Sequence, residues 1–470
     1  MDDILKAAKN KLNLKKKIVP PVWNGATGRP LSEEDVKSLK QDDLVVVSTN
    51  KNATYQGKVA EEVTENTDFE MRVIAQESWM EDEAIKQLER CAKTLKGVKY
   101  AIGMPDLHPG KGFPVGTAFA TERIIYPHLI GSDIGCGMTL YQTKLTRNKI
   151  KLEKWASKLH GLETGGITAQ VNNNEFEDEQ YNLPNDLSYY LNKFEITPTN
   201  HDSTSLGTIG GGNHFCELQQ IHKVLDSEVF HNELGLSDDH LFLLVHSGSR
   251  GYGHEILMEH EENYGVQGFE EGTDQANHYL DQHRNACQWA RANRTLIADK
   301  FFSCIGTSGD VKVDIWHNNV EPRKFLVKEG EETKEKMLWL HRKGAAPTDK
   351  GCVVIPGSRG TFSYLVKPSS NEMDLQNGGY SCAHGAGRKW KRSKALAMGK
   401  NDAEVSTGSL SVTSIGSRVI CEDSTLMYEE QPAAYKDVDQ VVKDLVDFNI
   451  VEIVAIMSPL ITYKTRATKK

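Results

Sequence analysis

Apolar positions recur at helical spacing in three stretches of this 470-residue chain. Ile85, Leu88 and Leu95 predict an amphipathic helix over 79–96, and Ser78 followed by Glu81 reads as a capping box at its start. Tyr279, Cys287, Ala290, Ile297 and Phe301 place a longer helix over 275–302. Val441, Val442, Leu445 and Val446 place a third over 437–447, which leads into an apolar strand over 450–457. Between these lie short β-branched runs, such as 241–245 and 352–355. Several end in a Gly-rich turn that carries a histidine. The pattern predicts a mixed α and β class behind an N-terminal extension over 1–70, and the length allows one large domain with appendages or two to three domains. That extension has a Lys-rich start (Lys6, Lys9, Lys11, Lys15, Lys16, Lys17), then Pro20-Pro21, a strand-like run over 44–48 and an acidic stretch (Glu61, Glu62, Glu65, Asp68, Glu70). The lysines read as a solvated helix face, with an RNA-touching arm as the alternative.

Composition narrows the class. Charged residues make up 26%, as in ordinary globular proteins, and the formal net charge is -9. A nucleic-acid ligand would therefore need a local basic patch. No apolar run approaches the ~18 residues of a membrane span, and the first residues lack the apolar core of a secretion signal. The eight cysteines are scattered, with no CxxC pair, which suits a reducing cytoplasm.

The candidate chemistry sits in Gly-rich turns. In 104–116, glycines and prolines fix a rigid loop around Asp106 and His108; a purely structural turn is the plainer reading. In Gly131-Ser132-Asp133-Ile134-Gly135-Cys136-Gly137, a carboxylate and a thiol three residues apart can face one centre, and a thiolate can bridge two metals. Alone, Cys136 reads more readily as a small buried residue than as a ligand. In 206–217, a glycine triplet precedes Asn213-His214-Phe215-Cys216-Glu217, so its N–H groups suit phosphate oxygens, while Asn213 and Glu217 suit a nucleotide. His246 and His317 stand at the ends of apolar strands. The mixed S, N and O set of Asp133, Cys136, His214, His246 and His317 suits Mn, Fe, Co or Zn alike. His384 lies among small residues, with a helix expected to follow and to set N–H groups beside the ring. The basic run Arg388, Lys389, Lys391, Arg392 and Lys394 is the patch a polyanion needs. Leu340-His341-Arg342-Lys343-Gly344 reads as a turn bearing cations, and 354–363 as a strand leading into a Gly/Ser phosphate loop.

The ordered set MPDLHPGKGFPVG, GSDIGCG, LGTIGGGNHFCE, VHSGSRGYGH, WHNN, HRKGA, IPGSRGT and HGAGR closely resembles the RtcB family, from about Met71 to Lys464. The resemblance implies an α+β fold, with one large mixed α/β catalytic domain over 71–470, and an RNA ligase of RNA repair or tRNA splicing, dependent on two Mn2+ and GTP. Such an enzyme joins RNA 3′-phosphate or 2′,3′-cyclic phosphate ends to 5′-hydroxyl ends through GMP-histidine and RNA-ppG intermediates. It implies that His384 is the nucleophile and Asp106 an essential carboxylate. It assigns Asp133, Cys136 and His214 to one metal, and Cys136, His246 and His317 to the other. It assigns the guanylate pocket to Asn213, His214, Phe215, Cys216, Glu217, His317, Asn318, Pro356, Gly357, Ser358, Arg359, Ser363, His384, Gly385, Ala386, Gly387 and Lys464. Arg250, Arg342 and Lys343 would meet RNA phosphates, and an archease-like activator is the implied protein partner.

Three motifs depart from the family's usual form. His108-Pro109-Gly110-Lys111-Gly112 stands where H-W-G-Y-G is usual, Arg359 replaces the Met of PGSMG, and 458–465 replaces R-P-I-G-V-V-K-G. These departures resemble the divergent branch linked to release factor H. Two other classes compete at the level of residues. A two-metal phosphoesterase would need no covalent nucleotide, and a non-catalytic sensor would need no nucleophile.

Overall fold

The computed structural model describes residues 22–24, 29–32, 35–36, 45–48, 65–167, 184, 186–402 and 406–466. The Lys-rich start, Pro20-Pro21, Glu61 and Glu62 lie outside the described residues. The chain divides into two units, Met1–Glu65 and Asn66–Lys470. In the first, Val22–Asn24 pairs antiparallel with Val45–Val47, within the run expected to be a strand.

The second unit is built on two sheets. The larger runs in the order Gly309–Trp316, Gly137–Thr146, His240–Ser247, Phe215–Val224, Val451–Thr465, Ser363–Pro368, Val353–Pro356, with Arg418–Cys421 added parallel to Val451–Thr465. The smaller runs Asn318–Glu329, Glu332–Lys343, Val115–Thr121, Val98–His108, Glu70–Val73. Buried side chains of both, including Met104, Ala118, Met138, Leu244, Leu338 and Leu365, share one apolar core. The short pair Ala345–Pro347 and Ser381–Ala383 carries the chain to His384.

All three expected helices form, with boundaries set by local chemistry. Asp82–Thr94 buries Ala84, Leu88, Cys91 and Ala92 on one face. Its capping box does not form: Glu81 is the N-cap without a side-chain bond, and Ser78 N–H instead donates to Asp444 Oδ2 at 2.9 Å. A tertiary acceptor has displaced the local one. Asp274–Ile305 outruns the expected span at both ends. Thr273 caps the start by accepting from Ala276 N–H, and left-handed Gly306 ends it. The third helix is Val438–Asp447. The strand after it reaches Thr465 rather than stopping near 457. Its later half pairs with Phe215–Val224 and Arg418–Cys421, so the ladder continues where the apolar pattern fades. That extension sets Thr462 opposite Glu217.

Candidate active site

The functional side chains leave strand ends where the two sheets meet. Cys136 directly precedes the Gly137–Thr146 strand, His317 follows Gly309–Trp316, and His246 lies near the end of His240–Ser247. These three strands are neighbours, so their ends converge. The long helix fixes the loops between them from behind. Fully buried Asn293 accepts from Gly207 N–H at 2.7 Å and Thr208 N–H at 3.1 Å, and donates to Gly248 O at 3.1 Å. Fully buried Arg294 donates to Gly135 O at 3.0 Å and Ser247 O at 3.1 Å, and pairs with Asp314 at 2.7 Å. Two adjacent helix residues thus tie together the loops that present Cys136, His214 and His246. The sequence reading missed both. Polar residues flank both positions in the sequence, so nothing there singles them out.

The expected metal ligands come together. Cys136 Sγ lies 3.3 Å from His214 Nε2 and 3.3 Å from His246 Nε2. His246 Nε2 lies 3.3 Å from His317 Nε2, and Asp133 Oδ2 lies 2.9 Å from His214 Nε2. Among the described residues, Asp133, Cys136 and His214 form one group able to hold a metal ion, and Cys136, His246 and His317 a second. Cys136 belongs to both. Burial holds the His246 and His317 imidazoles well below their ordinary pKa, hence neutral, and pushes the Cys136 thiol well up. Burial also pushes Asp133 upward, but His214 and Arg250 outweigh it and keep the carboxyl low. The donor set fits divalent ions on its own chemistry. Neutral imidazoles and a carboxylate are ready ligands, and S···N contacts near 3.3 Å resemble the ligand–ligand edge of about 3.6 Å expected around a four-coordinate ion with bonds of ~2.0–2.3 Å. The His214 ring is oriented by its Nδ1, 3.1 Å from Ile209 O, which leaves Nε2 for the metal side.

His384 stands beside this cluster, its ring centroid 4.7 Å from that of His317. Its Nδ1 lies 2.6 Å from Asp106 Oδ2, and Asp106 is fully buried. Among the described residues Nε2 makes no hydrogen bond. The helix expected after His384 does not follow directly: residues 384–391 are loop, and the helix is Arg392–Asn401. That helix therefore does not begin beside the ring. Gly387 (φ 73°) explains the loop, because a Cβ there would sit 2.3 Å from Asp106 O.

A cavity opens on the other side of His384. It is lined by Asn213, Phe215, Glu217, Pro356, Gly357, Ser358, Arg359, Gly385, Ala386, Gly387 and Lys464 from the expected nucleotide set, with Arg388, Arg392, Glu430, Tyr435 and Thr462 in addition. Burial lifts Glu217 to about 7, against the pull of hydrogen bonds from Thr462 and Gln219. Burial lowers Lys464 to about 8, and its Nζ donates to Gly212 O at 2.7 Å. Arg359 donates to the Met427 carbonyl and leaves its buried Nε without a partner. The second cavity is lined by Asp133, Cys136, His214 and His317, with Asn213, His384, Arg250, Asn318, Lys343 and Arg392, whereas His246 lines the first.

Three expected residues stand elsewhere. Cys216 faces an apolar cluster with Leu218, Val245 and Ile461, because residues alternate across a strand and Phe215 and Glu217 take the cavity side. Ser363 Oγ is buried and accepts from Gln219 Nε2 at 2.8 Å. Arg342, expected to meet RNA, is fully buried. Its guanidinium pairs with Glu321 at 2.5 Å and Asp349 at 3.3 Å, and donates to Ser381 Oγ at 2.9 Å and Tyr380 O at 3.0 Å. It is an internal tie with nothing left to offer a phosphate. Lys343 and Arg250 do face the metal-side cavity. Asn318 does too, yet its amide also braces the site, donating to Asp133 O at 3.0 Å and accepting from Gly344 N–H at 2.7 Å. No helix among the described residues is long and apolar enough to cross a membrane.

Comparison with known proteins agrees with this geometry. The family model described as "tRNA-splicing ligase RtcB" matches residues 87–465. The chain is 41% identical over 404 residues to "RNA-splicing ligase RtcB2" of Escherichia coli (strain ATCC 25922), covering 86% of this chain and 98% of that protein. It is 29% identical over 454 residues to "tRNA-splicing ligase RtcB" of Methanococcus maripaludis, covering 81% and 91%. It is 28% identical over 414 residues to "RNA-splicing ligase RtcB" of Escherichia coli (strain K12), covering 78% and 92%. With a family model spanning most of the chain and a relative matched along nearly its full length, the chain belongs to the RtcB family of RNA ligases.

Proposed function

We propose that this protein joins RNA 3′-phosphate or 2′,3′-cyclic phosphate ends to 5′-hydroxyl ends, using GTP and Mn2+, in RNA repair or tRNA splicing. The observation that carries the reading is the Asp106–His384 pair. A buried carboxylate 2.6 Å from Nδ1 fixes the ring and leaves Nε2 uncommitted in a wall shared by the nucleotide-type cavity and the metal-type cavity. A hydrolase that activates water needs no such histidine between two pockets.

Asp133, Cys136 and His214 would hold one ion and Cys136, His246 and His317 the other. When bound, such ions neutralise phosphoryl oxygens and polarise phosphorus. Glu217, Lys464 and Arg359 line the cavity that would receive the guanine nucleotide. His384 Nε2 attacks the α-phosphorus of GTP; the P–N bond forms as the P–O bond to pyrophosphate breaks. Asp106 accepts the Nδ1–H hydrogen bond and steadies the positive charge that grows on the ring. An oxygen of the RNA 3′-phosphate then displaces His384 from phosphorus, giving RNA-ppG and the free imidazole. The 5′-hydroxyl oxygen attacks the RNA phosphate and GMP departs. A cyclic end is first opened by water to the 3′-phosphate. Lys343 and Arg250, which line the metal-side cavity, would meet RNA phosphates. An archease-like protein is the proposed activator and the cytoplasm the proposed compartment, in keeping with eight unpaired cysteines.

The test is covalent labelling. Purified protein, Mn2+ and α-labelled GTP should give acid-labile label on the chain, absent from His384→Ala with its metal content kept. Undiminished label in that variant, or none in the wild type with metal bound and archease supplied, would overturn the reading.

A further inference from the structure

Asp106 aims His384, so whatever aims Asp106 also governs the reaction. Among the described residues its carboxylate has a single side-chain partner, His384, and buried Oδ1 has none. The direction of the carboxylate is therefore set by the backbone at 105–107. That backbone is held by a residue from a distant part of the chain. Lys436 Nζ donates to Pro105 O at 2.9 Å and Leu107 O at 2.7 Å, the carbonyls on either side of Asp106. The same residue holds the other loop, because Lys436 N–H donates to Gly387 O at 3.0 Å. Neighbouring contacts run alongside: Lys389 N–H donates to Ala434 O at 2.8 Å, and Arg388 bridges to Tyr435. The 434–436 segment thus clips the tail of the His384 loop, and its lysine pins the Asp106 loop.

We infer that Lys436 is a positioning residue for nucleotidyl transfer to His384, setting the Asp106–His384 geometry through both loops at once. The inference rests on the reaction proposed above. Lys436 is 8% exposed and lines neither cavity, so it acts through Asp106 rather than on substrate. A cation is also the fitting donor here. One ammonium satisfies two carbonyls, and the nearby Asp106 carboxylate favours the charged lysine against the pull of burial. A neutral side chain of equal length keeps the packing and loses both hydrogen bonds.

The experiment compares wild type, Lys436→Met, Lys436→Gln and Lys436→Arg in single-turnover labelling with α-labelled GTP and Mn2+. In the Met variant we expect the rate at saturating GTP to fall on the order of 100-fold, the loss typical of a reacting group displaced by about 1 Å. Half-saturating GTP and bound Mn2+ should stay within about twofold, and the Arg variant should recover about tenfold of the loss. Should the Met variant fail to fold, the Gln variant, which keeps a donor for one carbonyl, should still lose about tenfold at saturating GTP with bound Mn2+ and half-saturating GTP kept. A rate within about threefold of wild type would overturn the inference. So would a loss matched by lost Mn2+ or weakened GTP saturation, or an Arg variant no better than Met or Gln. Absence of label on the wild type would refute the reaction itself and this inference with it, whereas a labelled wild type with an unimpaired Met variant would refute only the role of Lys436.

Discussion

Replacing Arg342 by Met separates an internal tie from an RNA contact. The change keeps the bulk of the side chain and removes four donor contacts, to Glu321, Asp349, Ser381 and Tyr380. Breaking one partner of a buried ion pair costs about 3–5 kcal/mol, because the other charge stays buried and unpaired. The lower half applies here: Glu321 keeps Lys350 at 3.2 Å, and Asp349 keeps Arg323 at 3.3 Å. Unfolding entropy is about 2.1 cal/mol/K per residue, or ~0.8 kcal/mol/K for roughly 400 residues, so a cost of about 3–4 kcal/mol lowers Tm by about 4–5 °C. Binding should show the opposite pattern. A cation that meets one phosphate of single-stranded RNA contributes about 0.7 to the slope of log affinity against log salt. Arg342→Met should leave that slope unchanged, while Lys343→Ala should reduce it by about that amount. Calorimetry gives Tm, and anisotropy of a labelled 3′-phosphate RNA across a salt series gives the slope. Turnover is the wrong readout, since Ser381 begins the strand that leads to His384. An unchanged Tm together with a shallower slope would refute the internal-tie argument.

Two further outcomes follow from the site. Because Cys136 belongs to both metal groups, Cys136→Ala should lose both ions rather than one, and metal analysis of the purified variant at unchanged fold checks it; one ion retained per chain would refute the bridge. Glu217, lifted by burial to about 7, should bind guanine N–H donors only when ionised, so GTP affinity should rise as pH climbs through 7. Its folded pKa lies above the unfolded one, so the stability it contributes is full below the unfolded pKa and fades as pH rises through 7. In Glu217→Gln both dependences should flatten, which GTP titrations and melts on either side of pH 7 would measure.

Motif chemistry made the metal cluster legible in the sequence, while strand geometry decided the residues around it. Cys136, His214, His246 and His317 were visible because each sits in a small-residue turn at a strand end, and neighbouring strands bring such ends together. Lys436 left no comparable trace. A lysine after Tyr435 and before a capping aspartate looks like any surface cation, and only tertiary contact makes it a clamp on 105–107. Asn293 and Arg294 were equally silent, since periodicity reports which helix face is buried but not which polar groups that face must satisfy.

Arg342 departs from its expected role for a different reason, which lies in the local period. In a turn, the adjacent cations of His341-Arg342-Lys343 could share a solvent face. The run is instead the end of the Glu332–Lys343 strand, paired through Ala118 and Thr117 with its neighbour. On a strand, adjacent side chains point to opposite faces, so Arg342 and Lys343 cannot both reach one ligand. His341 shares the Lys343 parity, and its Nε2 accepts from Tyr126 N–H at 2.9 Å, deeper in the sheet. Only Lys343, at the strand's last position, reaches the metal-side cavity. Assigning the local period before assigning ligands would have left one cation for the RNA and given the other to the core. The same parity argument separates Phe215 and Glu217 from Cys216, which makes strand register the variable that turns a motif into a site.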